Sequence, residues 1–180
     1  MNTYKKNDKL QASVTSGVSV LSISQATTAT FTDLYFQHTF LFFIQVGSKR
    51  VLCPINGELI GHAKDVMIFS PGSMVTLENR PVLDADYRAT GVCFPHHMVE
   101  AVFSNKNSNL EPAGIQLVQD STDQSLQILH TIQTTLNDTG LPAPIRQHRL
   151  LEPLIWLKYN GIYLSPQEEE KPLSKVRRLI

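Results

Sequence analysis

The chain has 180 residues, 42% of them hydrophobic and 18% charged, which is enough to bury one good core in a single compact unit. Sixteen Lys and Arg balance sixteen Asp and Glu, so the formal net charge is zero. A domain that grips nucleic acid by itself carries a basic excess, because phosphate contacts dominate its affinity. This composition excludes that class here, so any DNA contact has to come from another part of the protein.

Residues 1–12 are polar and lysine-bearing, without an apolar core of the kind a secretory signal needs, and they are expected to be disordered. The densest apolar stretch, 40–46, is far shorter than a bilayer span. Cys53 and Cys93 stand far apart among apolar residues, which suits two buried thiols in a reducing compartment, with a single disulfide between strands as the alternative. These features together point to a cytoplasmic protein with no membrane contact.

From residue 13 to 95 the chain is β-rich. Val18, Val20, Leu21 and Ile23 open it, and 28–36 continues with β-branched and aromatic residues. The apolar run 39–46 ends at Gly47-Ser48, and 50–53 pairs with it as a hairpin. Asn56-Gly57 is the strongest turn signal in the chain, since both residues tolerate positive φ. Strands at 58–62, 66–69, 74–78 and 86–94 follow, with turns at Lys64-Asp65 and Ser70-Pro71-Gly72-Ser73. Short strands at this spacing indicate a sandwich or barrel, with 86–94 as its last strand.

After Pro95 the pattern becomes helical. Met98, Val99, Val102 and Phe103 have helix spacing, and 106–114 is a polar loop. A helix over 121–137 repeats Leu126, Leu129, Ile132 and Leu136, with Ser121-Thr122-Asp123 as its N-cap. A second over 144–159 carries Leu150, Leu154 and Leu157, with Pro153 expected to kink or split it and Asn160-Gly161 to cap it. Residues 165–172 read as a charged, proline-flanked linker, and 173–180 as a helix start that is cut off.

The catalytic motifs are missing: there is no Gly-rich phosphate loop, no G-x-S-x-G elbow and no H-E-x-x-H helix. The histidines His38, His62, His96, His97, His130 and His148 make no ligand pair one residue apart on a strand; His62 with Asp65 comes nearest. Cys93 near His96 is a packing thiol rather than a nucleophile. No cofactor, metal or enzyme activity is expected. The competing reading is a metal-dependent cupin enzyme of isomerase or dioxygenase type, for which a ligand set cannot be assembled.

The run Asn56-Gly-Glu-Leu-Ile-Gly-His-Ala-Lys-Asp-Val-Met-Ile-Phe-Ser-Pro-Gly72 resembles the barrel core of AraC/XylS-type transcription regulators. There a strand, a tight turn, an apolar strand ending in Pro-Gly and a further strand recur in this order. Leu151-Glu-Pro-Leu-Ile-Trp-Leu-Lys-Tyr-Asn-Gly-Ile162 followed by Pro172-Leu-Ser-Lys-Val-Arg-Arg-Leu-Ile180 resembles the junction between the two halves of such regulators. The resemblance implies an α+β fold, a cupin-like (jelly-roll) β-barrel over 13–95 followed by C-terminal helices over 96–164. Residues 165–180 would then be the linker and the start of a DNA-binding domain that the chain does not contain. It also implies a homodimer whose barrel takes a small-molecule effector or a partner protein, with helix-turn-helix units reading DNA.

Strand alternation assigns the candidate ligand-binding residues. Phe40, Phe42 and Ile44 share one face of their strand and line the barrel with Met67, Phe69, Tyr87 and Cys93. Arg50, Arg80, Arg88, Tyr87 and Lys49 are the candidate partners for the carboxylate of an acidic effector. The helices carry more apolar surface than a barrel needs. Leu126, Leu129, Ile132 and Leu136, or Leu150, Leu154 and Leu157, are therefore the candidate dimerisation stripe.

Overall fold

A computed structural model describes residues 17–104 and 114–164. The expected disordered N-terminus, nearly all of the 106–114 loop, and the linker and helix start at 165–180 lie outside the described residues. Strands β1 (Ser19–Gln25), β8 (Tyr87–Phe94), β3 (Thr39–Val46), β6 (Val66–Phe69) and β9 (Ile115–Val118) form one antiparallel sheet in that order. Strands β2 (Ala29–Phe36), β7 (Ser73–Arg80), β4 (Ser48–Cys53) and β5 (Gly57–His62) form the other. Helices α1 (His96–Phe103), α2 (Gln124–Asn137) and α3 (Ala143–Tyr159) complete an α+β, cupin-like fold.

The apolar patterns explain which face each strand shows. In β7, Val75, Leu77 and Asn79 are buried and alternate with Thr76, Glu78 and Arg80, the signature of a sheet wet on one side. Strands β3 and β6 do not alternate, because both of their faces are covered. Phe42, Ile44, Met67 and Phe69 turn into the barrel, and Leu41, Phe43, Val66 and Ile68 turn toward the helices. The core is therefore double. One cluster fills the barrel, and the other packs the five-stranded sheet against Met98, Leu129, Ile132, Leu150, Leu154 and Leu157.

Three expectations need correction. Strand 86–94 is not the last: Ile115–Val118 pairs with β6 at the sheet edge, so the sheet draws a strand from the segment read as helical. Four residues are too few to show a period. Asp123 does not cap α2 through its side chain and has φ +62 instead. The Asp120 carboxylate does that work, accepting from Ser125 N at 2.6 Å, Thr122 N at 2.8 Å and Thr122 Oγ1 at 2.8 Å. Pro153 does not split α3. The carbonyl of Arg149 loses its partner on an exposed turn, where water can serve, while the Pro153 ring is buried.

The end of α3 follows its residues closely. Gly161 has φ +77, Ile162 N donates to Leu157 O at 3.1 Å and Gly161 N to Lys158 O at 3.2 Å. This is a Schellman closure with Ile162 tucked into the core.

Burial opposes ionisation of Asp120, but the backbone donors outweigh it and hold its pKa down to about 2. Asp120→Ala should cost about 1 kcal/mol at pH 7, the usual worth of a helix cap. A depressed carboxylate stabilises above its unfolded value of 3.8 and loses that as pH falls toward 2. Thermal unfolding of both proteins should therefore show the gap closing across that window.

Candidate functional site

The barrel interior brings together six of the eight residues assigned to ligand binding. Phe42, Ile44, Met67, Phe69 and Tyr87 are buried in one cluster, and Phe40 packs against it. Phe36 joins them, with ring centroids 4.5 Å from Phe69 and 5.4 Å from Phe40, while Phe42 lies 5.0 Å from Phe69. These rings make one apolar wall. Arg88 is exposed on the opposite side of β8, and Cys93 is half-buried beside Ser19, burial raising its thiol pKa.

Lys49 supplies the cation. In β4 it alternates inward with Val51 and Cys53, and it is 1% exposed. Its Nζ donates to Asn79 Oδ1 at 2.6 Å, and Asn79 Nδ2 donates to Gln25 Oε1 at 2.9 Å, which fixes the amide's orientation. The ammonium stands 4.7 Å from the Phe42 ring centroid and 5.4 Å from that of Tyr87. Among the described residues no carboxylate pairs with it. Burial lowers its pKa to about 7.

Tyr87 completes the polar end. Its hydroxyl is buried without a hydrogen-bond partner among the described residues, and burial raises its pKa. Its ring packs on Gly47, where an added Cβ would meet Tyr87 at 3.1 Å and the Arg80 carbonyl oxygen at 2.3 Å at φ +86. The remaining basic candidates point away. Arg50 pairs with Glu58 at 2.6 Å and Arg80 with Glu78, both on the outer face of the four-stranded sheet. Gln25 and Asn79 were not anticipated. The alternation of Asn79 with Val75 and Leu77 is the signal that finds it.

The helical candidates are placed differently from the expectation. Leu129, Ile132, Leu150, Leu154 and Leu157 are buried inside the protomer, Leu136 is half-buried against the same cluster and Leu126 is 37% exposed. Both helices spend their main stripe on the sheet, because its outer face needs cover. Exposed apolar surface lies instead at Ile145, Ile155 and Tyr159 of α3, on the face opposite Leu150, Leu154 and Leu157. Among the described residues no three of His, Cys, Asp or Glu converge, and no helix is long and apolar enough to cross a membrane.

Comparison with family models and with curated proteins finds no match. Solved structures do match. An apo ToxT variant from Vibrio cholerae aligns with TM-score 0.62 at 10% identity, covering 90% of this chain and 63% of that one. This chain has the ToxT barrel-and-helix fold. Wild-type ToxT bound to an unsaturated fatty acid aligns with TM-score 0.58 at 14% identity, covering 90% of this chain and 61% of its own. ToxT bound to (E)-4-(8-methylnaphthalen-1-yl)but-3-enoic acid aligns with TM-score 0.57 at 12% identity and covers 90% and 63%. ToxT is an AraC-family regulator, matched at its N-terminal cupin-like domain, so the resemblance seen in the sequence holds at the level of fold. The chain spans less than two thirds of ToxT's length.

A buried amine without a counter-ion costs stability. The folded pKa of about 7 lies below the unfolded 10.5, so between those values the unfolded chain holds more protons and stability rises with pH. Lys49→Met should stabilise by on the order of 2 kcal/mol near pH 7, as replacing a buried charge by a well-packed hydrophobe does, with the gain shrinking toward pH 10 in denaturant titrations.

Proposed function

We propose that this chain is the effector-sensing and dimerisation half of an AraC-type regulator, and that its barrel takes a small amphipathic acid. The observation that carries this reading is Lys49, an interior ammonium above two aromatic rings with no carboxylate partner among the described residues. An effector carboxylate supplies the missing charge and accepts a hydrogen bond from the orphan Tyr87 hydroxyl. Its apolar tail repacks among Phe36, Phe40, Phe42 and Phe69. The two ToxT ligands named above, both acids, support the class.

DNA recognition falls, in this reading, to helix-turn-helix units outside these residues, consistent with the zero net charge here. The cell compartment is the cytoplasm. The protein acts by binding and not by catalysis.

The acid binds the protonated amine, so above pH 7 binding must bring in a proton. Affinity for oleate or the naphthyl acid should be flat below pH 7 and fall about tenfold per unit above it. Calorimetry across pH tests this, with Lys49→Met as the second arm. Equal affinity of that variant and the native protein would sink the reading.

The dimer uses the outer stripe of α3, namely Ile145, Ile155 and Tyr159, since the inner leucines are committed to the sheet. At low micromolar concentration Ile155→Glu should weaken dimers in light scattering without lowering the melting temperature, because the side chain is 40% exposed.

A further inference from the structure

Two open sheets leave four strand edges among the described residues, and three of them are guarded. Strand β9 has four residues and packs against β5 across the barrel. Strand β5 carries Glu58, ion-paired to Arg50, and glycines at both Gly57 and Gly61. Strand β2 is broken by a register shift against β7 between Phe31 and Leu34, where Asp33 has φ +55. Short length, charge and bulges are the usual devices that keep an edge from pairing with another chain.

Strand β1 has none of these. Its seven residues, Ser-Val-Leu-Ser-Ile-Ser-Gln, include no charge, proline or glycine. Its register with β8 runs unbroken from Ser19 opposite Cys93 to Gln25 opposite Tyr87. Among the described residues no backbone bond reaches its outer side. Leu21 is 38% exposed there, and Ser22 and Ser24 are exposed.

We infer that β1 is a docking edge for β1 of a second copy of this chain, paired antiparallel about a two-fold axis at Ser22. That register uses all seven residues. It sets Leu21 against Ile23 twice, Val20 against Ser24 twice, Ser19 against Gln25 twice, and hydroxyl beside hydroxyl at the axis. It also keeps faces matched. Leu21 and Ile23 lie on the barrel side with Gly91 and Ala89, and Val20 lies on the helix side with Val92, so both helix layers fall on one side of a joined sheet. A slip by one residue would set Leu21 against Ser22 and put the two helix layers on opposite sides.

The absence of charge makes the pairing free of repulsion, and the symmetry makes it isologous. A seven-residue strand contact is small beside a standard interface, so it forms at high protein concentration, separately from the α3 stripe.

The test uses the full chain carrying Ile155→Glu, which removes the α3 contact, in sedimentation velocity at high micromolar concentration. This protein should sediment as a dimer. Adding Ser22→Lys, or adding Ser22→Glu, should give monomers, because each sets like charges against each other at the axis. Mixing those two monomers should restore dimers, which also shows that both are folded. A monomer before either charge is added would overturn the proposal, as would dimers that survive both charges or a mixture that stays monomeric.

Discussion

Strand β3 is buried on both faces, and the rest of the molecule is arranged around that fact. Phe42 and Ile44 belong to the barrel, while Leu41 and Phe43, their immediate neighbours, belong to the layer under the helices. Strand β6 repeats the division, with Met67 and Phe69 on one side and Val66 and Ile68 on the other. Only a backbone's thickness separates the two cores. Interiors packed at crystal density do not absorb a displaced ring locally. A group that moves Phe42 inside the barrel therefore presses on the surface that seats Leu129 and Ile132 of α2 and, through them, α3. The coupling needs no long path, because the barrel and the helix layer share a strand.

The polar end of the barrel is costly to the fold. A well-packed hydrophobe at position 49 would be the more stable choice, since desolvation alone drives the Lys49 pKa down to about 7. Buried polar groups in native proteins are matched in nearly all cases. Here two shortfalls occur together: Lys49 lacks a countercharge among the described residues, and the Tyr87 hydroxyl lacks a partner. Both lie at the same aromatic cluster, the Lys49 ammonium 5.4 Å from the Tyr87 ring centroid. Asn79 uses its oxygen on Lys49 and its nitrogen on Gln25, and so holds the amine in place.

The barrel was largely legible in the sequence and the site only in outline. Period-two alternation identifies β7 and puts Phe40, Phe42 and Ile44 on one side of β3, because a strand allows only two directions. Asn56-Gly57 and Gly161 mark turns through backbone freedom alone. What escaped depends on tertiary partners. Strand β9 is visible only beside β6, to which Ile115 and Val118 pair. Asp120 acts from outside the expected cap triplet because Asp123 adopts φ +62. Lys49 and Arg88 are equivalent cations on paper. Their strands settle the difference: Lys49 falls in phase with Val51, and Arg88 falls out of phase with Tyr87 and Ala89. The leucines of α2 and α3 look like a spare stripe until the outer face of the five-stranded sheet is seen to need covering.

An alignment at 10–14% identity over 90% of the chain shows how little of this fold depends on particular side chains. In this chain the fold rests on alternation in β7, on an apolar run buried on both faces in β3, and on a glycine at position 47 where a Cβ would meet both the Tyr87 ring and the Arg80 carbonyl oxygen. Chemistry is carried at a different level. A lysine one position earlier or later in β4 would point to solvent and leave the fold unchanged. The charge at the polar end of the barrel is thus set by the phase of one residue in one strand, Lys49 in step with Val51 and Cys53.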